Sequence, residues 1–235
     1  MPQLRVQDSG AAPWRQFVAS AFARAPRPAP RMNIVVDGTA AEQAAAARAI
    51  RKLATAPSAR AALQQLATDG VHVRFVTSDE ASAVHLGAGA AAMYDSATAT
   101  VYVRMSLKDG AGALIHEATH HLAATQGRDA TALLHGRPIE QVLQDPTMRA
   151  KLWAARVSDE AGAYRQQAIV LTELGEGVIA PGYALRADGT VASELETYRA
   201  FDREARQDGA GLLVSDYDRI QGTDTFSAAE RSRFH

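Results

Sequence analysis

Hydrophobic positions in the first part of the chain change between the spacing of helices and that of strands. Apolar runs and strict alternation favour strands, whereas apolar residues three or four positions apart, bounded by capping residues, favour helices. By these criteria the sequence predicts a strand at 32–36, a helix at 39–54, a helix at 58–68, a strand at 71–76 and a short strand at 83–86.

The next part of the chain is predicted to begin with a β-hairpin and to continue as helices. Val101 and Val103 alternate with Tyr102 and Arg104, so we expect one face of the second hairpin strand to be buried. A mainly helical half after a mixed half predicts an α+β fold. The predicted elements are a hairpin at 91–105 and helices at 113–125, 145–156, 158–175 and 193–206.

Residues 1–31 differ in composition from the rest of the chain. They carry five arginines, one aspartate and the Pro-rich stretch Ala25–Arg31, which cannot continue a helix. The sequence therefore predicts a flexible basic arm at 1–31 and one domain at 32–235. Residues 1–10 contain no apolar core, so we expect no conventional secretory signal, and no run of 18 apolar residues predicts a transmembrane helix.

Charge and cysteine content limit the chemistry that is open to this chain. With 25 basic and 26 acidic residues the net charge is −1, so no overall basic field would hold nucleic acid or an anionic membrane. The absence of cysteine excludes disulfides, thiol catalysis and cysteine-ligated zinc. Any metal site must therefore use His, Asp and Glu.

One predicted helix carries the pattern H-E-x-x-H. His116 and His120 are four residues apart, which places two imidazoles on one helical face, and Glu117 lies beside that face. This arrangement is typical of zinc peptidases, with two histidine ligands and a glutamate as general base. The motif is flanked by Leu114, Ile115 and Leu122, which indicate a buried helix with one polar stripe.

A catalytic zinc ion usually has a third protein ligand. No histidine follows at the spacing of the longer motif H-E-x-x-H-x-x-G-x-x-H, and Ala123 stands where that motif has glycine. Glu160 is the first choice, near the start of a helix that Ser158 would cap, and the small residues Gly162 and Ala163 would let this helix approach the motif helix closely. The alternatives are Asp159 and then Glu194 and Glu196.

The sequence also offers candidates for side chains that would support the metal ligands or the reaction. His121 points about 100° away from His120, so we expect it to pack or to support the site. The acceptors that would orient the histidine rings are Asp95, Asp129 or Asp159. The candidate donors to a developing oxyanion are Tyr164, Arg165, Tyr183, Tyr198, Arg199, Tyr217 and Arg219, which the sequence does not rank.

The segment from residue 32 to about 124 resembles NleD-like type III effector metallopeptidases. The resemblance is carried by Met32–Thr39, Leu53–Pro57, Leu63–Leu66, the hairpin and Leu114–Leu122 with its H-E-x-x-H. The distant glutamate is also similar to zincins of the clostridial neurotoxin type. The resemblance implies a zincin-like fold, zinc held by His116 and His120 with Glu117 as base, delivery into another cell, and host signalling proteins as targets.

These observations together predict a zinc-dependent endopeptidase. The expected partner is a protein or peptide substrate. The expected location is outside the producing cell, without a conventional signal peptide, and the alternative is the cytoplasm. One alternative is a zincin-type hydrolase of cell-wall peptides, and another is a non-catalytic module that holds metal and captures a partner along the hairpin edge. The presence of Glu117 favours an enzyme, because a purely structural metal site needs no base.

Overall fold

The fold is taken from a computed structural model that describes residues 33–84, 86, 90–95, 98–105, 110–128, 133 and 144–207. The predicted arm at 1–31 lies outside these residues, so the arm and the domain boundary after it stay predictions. Among the described helices, none has both the length and the apolar character that crossing a bilayer requires.

Four short strands form one mixed sheet in the order β1-β2-β4-β3. Strand β2 pairs in parallel with both β1 and β4, whereas β3 runs antiparallel to β4 and occupies an edge of the sheet. The predicted hairpin and the strand predicted at 71–76 are confirmed, and the first strand begins later than predicted. The strands are β1 (Val35–Asp37), β2 (His72–Val76), β3 (Ala92–Asp95) and β4 (Thr100–Arg104).

Six α-helices lie in the described ranges. A 3-10 turn at Pro57–Ala59 precedes the second helix, and two more at Gly177–Ile179 and Gly182–Ala184 connect the last two helices. The helices are α1 (Ala40–Leu53), α2 (Arg60–Thr68), α3 (Ser78–Ala83), α4 (Gly110–Thr125), α5 (Pro146–Glu173) and α6 (Glu194–Gln207). The α+β class predicted from the sequence is confirmed.

Capping side chains mark the beginnings of α1, α5 and α6. Thr39 and Glu42 form a reciprocal capping box at α1, and Asp145 accepts hydrogen bonds from two amides of the first turn of α5. Ser193 and Glu196 exchange hydrogen bonds in the same way at α6. These side chains satisfy amides that the helices themselves leave without partners, which fixes where each helix begins.

The strand predicted at 83–86 is wrong, because this region contains the end of α3. Thr77 and Glu80 form another capping box, in which Thr77 Oγ1 contacts the amide of Glu80 and the Glu80 carboxylate accepts from the amide of Thr77. This cap starts a helix at Ser78 that reaches Ala83. Leu86 then packs on Val76 and Ala81, so its apolar character reflects burial at the helix end rather than a strand.

The two helices predicted at 145–156 and 158–175 are one continuous helix, α5, of 28 residues. Ser158 is an exposed residue inside this helix rather than its N-cap. Arg156 forms ion pairs with Asp159 and Glu160 at i, i+3 and i, i+4, across the predicted break. Ion pairs at these spacings stabilise a helix. The polar segment around Ser158, which resembles the start of a helix in sequence, is therefore helical throughout.

Helix α4 lies at the centre of the packing, with α1, α2, α5 and the hairpin strands around it. Leu114, Ile115 and Ala118 are fully buried in the main hydrophobic cluster, together with Val101 and Val103 of β4. Gly110 and Gly112, which were predicted to precede the helix, lie within it. A buried central helix holds its polar stripe in one position, and that stripe contains the candidate site.

Candidate metal centre

His116 and His120 lie one turn apart on α4, and their rings converge. The Nε2 atoms are 3.0 Å apart, and the ring centroids are separated by 4.7 Å with an interplanar angle of 73°. Their side chains are only 10% and 15% exposed. Two ring nitrogens this close together cannot both carry a proton towards each other. They can, however, both direct their lone pairs at one cation.

Helix α5 brings Glu160 to the same point from 40 residues farther along the chain. Its Oε2 is 3.4 Å from His116 Nε2 and 3.6 Å from His120 Nε2. Tetrahedral ligands with zinc bonds of 2.0–2.1 Å would lie about 3.3 Å from one another. The three observed separations, between 3.0 and 3.6 Å, therefore fit one tetrahedrally bound ion.

Two further observations bear on this fit. The Nδ1 of His116 is buried and has no hydrogen-bond partner among the described residues, so no hydrogen bond orients the ring from that side. The donor set of two imidazole nitrogens and one carboxylate oxygen suits zinc, although it also suits other divalent first-row ions. The residues fit a metal, and their chemistry is not specific to zinc.

Without an ion, His120 and Glu160 interact as an oppositely charged pair. Burial disfavours charge on His120, but the nearby charge of Glu160 and the contact with Asp159 outweigh it, so the pKa of His120 rises well above its usual value. Burial likewise opposes ionisation of Glu160, but the two histidines hold its pKa well below the ordinary value. A cation could therefore replace the proton of His120 against an already ionised carboxylate.

Glu117 lies next to the two histidines and points towards the edge strand. Its Oε2 accepts a hydrogen bond of 3.0 Å from the backbone N–H of Tyr94 in β3. Glu117 is half-buried and belongs to neither of the histidine–carboxylate contacts. The carboxylate predicted to act as a base is therefore beside the metal ligands and outside their donor set.

Asp159 lies behind the ring of His120. Its Oδ2 is 3.1 Å from His120 Nδ1, although the approach lacks the alignment of a hydrogen bond. Of the three acceptors that the sequence offered, this one is at the site, whereas Asp95 accepts from Thr98 in the hairpin and Asp129 lies outside the described residues. Asp159 thus contacts the outer side of a candidate ligand instead of completing the donor set.

Two tyrosines extend the site towards the loop before α6. The ring of Tyr164 lies 4.2 Å from that of His116, and Tyr183 packs edge-on against Tyr164 at 4.8 Å. Burial, followed by the charge of Glu160, raises the pKa of Tyr164 to about 12. Burial, followed by Tyr164, also raises the pKa of Tyr183. Both phenols therefore keep their protons at neutral pH and can donate hydrogen bonds.

The structure does not bring the remaining candidates to the site. Arg165 donates to the carbonyl of Ala192, and Arg199 is exposed on α6. Tyr198 and Glu194 line a separate cavity of 270 Å³ between α5 and α6. Glu196 is held at the N-terminus of α6 by Arg186 and Ser193, with its pKa lowered to about 2 chiefly by Arg186. Tyr217 and Arg219 lie outside the described residues.

His121 and Arg156 complete the surroundings of the histidine pair. His121 is buried and its Nε2 lies 2.7 Å from Asp69 Oδ2, so it joins α4 to the end of α2, which agrees with the packing role predicted for it. Arg156, which sequence reasoning missed, contacts both Asp159 and Glu160. Arg156 precedes these two adjacent acids by three and four residues, which is the spacing of ion pairs on a helix. This spacing indicates a contact only if the segment is known to be one continuous helix.

The chain matches no protein-family model, no curated protein and no solved structure. The resemblance to effector metallopeptidases consequently depends on the sequence motifs alone, and the zincin assignment stays a hypothesis. What the structure adds is the meeting of His116, His120 and Glu160, with ligand atoms within 4.8 Å of one another.

Proposed function

We propose that this chain is a zinc-dependent peptidase of zincin type. The observation that carries the proposal is the convergence of His116 Nε2, His120 Nε2 and Glu160 Oε2, separated by 3.0–3.6 Å, from two different helices. Exposed acidic groups often cluster without a metal, but these three side chains are at most 15% exposed. Buried titratable side chains that converge on one point from two helices favour a bound cation.

The roles follow from the positions of the side chains. His116, His120 and Glu160 would hold the ion, which when bound would polarise a peptide carbonyl and acidify a water molecule. Glu117 takes the proton of the attacking water and transfers it to the leaving amine. The protonated phenol of Tyr164, whose ring packs on His116 and on Tyr183, is the candidate donor for the oxyanion that develops on the substrate.

The edge position of β3 supports an extended peptide as the substrate. The amide of Arg104 bonds to the carbonyl of Ala91, so in the antiparallel ladder the polar backbone groups of Ala92 and Tyr94 point away from β4. No described strand pairs with this side of β3. The amide of Tyr94 already donates to Glu117, so an extended chain that adds there as a further strand would pair through the groups of Ala92 and pass beside Glu117. Delivery into another cell and host targets stay predictions of the sequence resemblance.

The test combines metal dependence with loss of the base. We expect the purified protein to bind one zinc ion and to cleave members of a mixed peptide library, with activity removed by a chelator and restored by added zinc. Glu117→Gln should retain the zinc and lose cleavage, because the amide cannot accept the proton. Glu194→Gln, at an exposed carboxylate outside the group of His116, His120 and Glu160, is the matched control and should cleave normally.

Two results would contradict the proposal. Cleavage that persists in excess chelator would exclude metal-dependent catalysis by this site. A protein that binds zinc but releases no new termini from the library or from cell-wall peptides would favour the non-catalytic metal-bearing module.

A further inference from the structure

Arg156 lies one helical turn before Glu160 on α5, and its guanidinium reaches two carboxylates. One terminal nitrogen is 3.3 Å from Asp159 Oδ2, and the other is 3.3 Å from Glu160 Oε1. The side chain is 14% exposed, so this contact lies inside the protein rather than on a solvated helix face. A forked cation that spans two acids fixes their relative orientation, which a point charge would not do.

The two oxygens of Glu160 face different partners. Oε2 faces the Nε2 atoms of His116 and His120, whereas Oε1 faces Arg156. With one oxygen occupied by the guanidinium, only the other is available at the point where the histidines converge. This arrangement, which rests on the proposed function, favours coordination of a metal through a single oxygen of Glu160.

The same guanidinium also acts on the second histidine. Asp159 Oδ2 lies between Arg156, at 3.3 Å, and His120 Nδ1, at 3.1 Å. A carboxylate behind a ligand histidine fixes the orientation of the ring. Arg156 therefore contacts one candidate ligand directly and reaches another through one intervening carboxylate.

We infer that Arg156 is the positioning residue of the metal centre, holding Glu160 in one-oxygen coordination and Asp159 behind His120. A role limited to neutralising the two acids has the opposite consequence for metal affinity. Removal of a positive charge makes the site more attractive to a divalent cation, whereas removal of a positioning group leaves the ligands misaligned. The direction of the change in zinc affinity therefore separates the two roles.

The experiment measures the zinc dissociation constant of the full-length protein by competition with a chromophoric chelator. We expect Arg156→Met to bind zinc about 10- to 100-fold more weakly than the unaltered protein. Arg156→Lys keeps the charge and loses the fork, so it should also bind more weakly. The control, Arg206→Met, removes an arginine that pairs with Asp202 at the same i, i+4 spacing on the exposed part of α6, and should bind normally.

A cobalt-substituted sample gives a readout that does not depend on affinity. With Arg156 absent, both oxygens of Glu160 can approach the ion, so the visible absorption of bound Co²⁺ should weaken as the coordination number increases. Arg156→Lys, the milder substitution, carries the test if Arg156→Met does not fold, as judged by circular dichroism.

Each result supports or overturns the inference. Unchanged or tighter zinc binding by Arg156→Lys and Arg156→Met would overturn it and leave the proposed function intact. An unaltered protein that binds no zinc would overturn both. Weaker binding by the Arg156 variants, with normal binding by Arg206→Met, supports the positioning role.

Discussion

The backbone N–H of Tyr94 donates a 3.0 Å hydrogen bond to the carboxylate of Glu117, which joins the edge strand to the middle of the H-E-x-x-H motif. Tyr94 also packs its ring edge-on against His121, at 5.0 Å between centroids, so the strand contacts the helix at two residues that lie one turn apart. The proposed base is therefore held in place by the strand along which a peptide would pair.

This hydrogen bond predicts that two substitutions of Glu117 will differ in stability and agree in activity. Glu117→Gln keeps a carbonyl oxygen that can accept from Tyr94, whereas Glu117→Ala leaves the amide without its acceptor. We expect both to lose peptide cleavage, and only Glu117→Ala to lose about 1–3 kcal/mol of unfolding free energy in a urea titration. Amide hydrogen exchange at Tyr94 should accelerate in the alanine variant alone; equal exchange in both would show that the bond is not formed in solution.

Loss of Glu160 should remove zinc from the site. We expect Glu160→Gln to weaken zinc binding by more than about 100-fold, since a lost ligand should cost more than a lost supporting group. The matched control is Glu173→Gln, the same substitution near the end of the same helix, where the carboxylate pairs with Ser58. Isothermal calorimetry of both variants would decide the assignment, and stoichiometric zinc in Glu160→Gln would move the third ligand elsewhere.

The sequence predicted which three side chains meet better than it predicted the backbone that carries them. H-E-x-x-H defines a helical face by spacing alone, so His116 and His120 could be paired without knowledge of the fold. Glu160 was proposed as one of the first residues of a capped helix, yet it lies in the middle of α5. The prediction that its side chain points inward holds all the same, because residue 160 has a helical backbone whether the helix begins at Ser158 or continues through it.

Other errors arise from contacts that are distant in sequence or overlooked locally. Arg156 was missed because the pattern predicted a break between two helices at 156–158, between Arg156 and its partners. In the structure the helix is continuous there. Glycine at 162 was expected to let α5 approach α4, but a Cβ built there meets nothing within 4 Å. The strand predicted at 83–86 ignored the cap formed by Thr77 and Glu80, a signal that was present in the sequence.

The charge pair inside the site predicts how zinc binding depends on pH. Because the pKa of His120 is raised, this ring keeps its proton to a higher pH than an ordinary histidine in the metal-free protein, and zinc must displace that proton. Zinc affinity should therefore increase by about tenfold per pH unit as the pH rises towards that raised pKa. The same measurement on His72→Gln, which removes a histidine paired with Asp37 away from the site, should show the same slope.

Calorimetry in buffers of different ionisation enthalpy would count the protons that zinc releases. Release of no proton at neutral pH would contradict the pairing of His120 with Glu160.

The metal-free protein should show the opposite trend in stability. The contribution of His120 is present below the ordinary histidine pKa and is lost as the pH rises through the raised value. Glu160, whose pKa is lowered, contributes above the ordinary glutamate pKa and loses this contribution as the pH falls through the lowered value. Melting curves with chelator present should therefore decline on the alkaline side more steeply than those of His120→Gln, and parallel curves would refute the pairing.

Tyr164 is expected to affect turnover and not metal binding. Its ring lies 4.2 Å from that of His116, and Phe in its place keeps this ring contact while removing the hydroxyl proton. Tyr164→Phe should lower kcat by about 10²–10³-fold with KM and zinc affinity unchanged. Tyr198→Phe, on the separate cavity, is the control; a normal kcat in Tyr164→Phe would leave the oxyanion donor to Tyr183 or to a residue outside the described ranges.

Two glycine substitutions in the helices that carry the ligands should have opposite effects on stability. At Gly110, in the first turn of α4, an added Cβ would lie 2.7 Å from the ring of Phe75, so Gly110→Ala should cost about 1–3 kcal/mol. At Gly162, inside α5, the added Cβ meets open space, and Gly162→Ala should stabilise by about 0.5–1 kcal/mol because alanine is the better helix former. Urea unfolding of the metal-free variants measures both, and a destabilised Gly162→Ala would mean that α5 packs more closely at residue 162 than the free space around its Cα indicates.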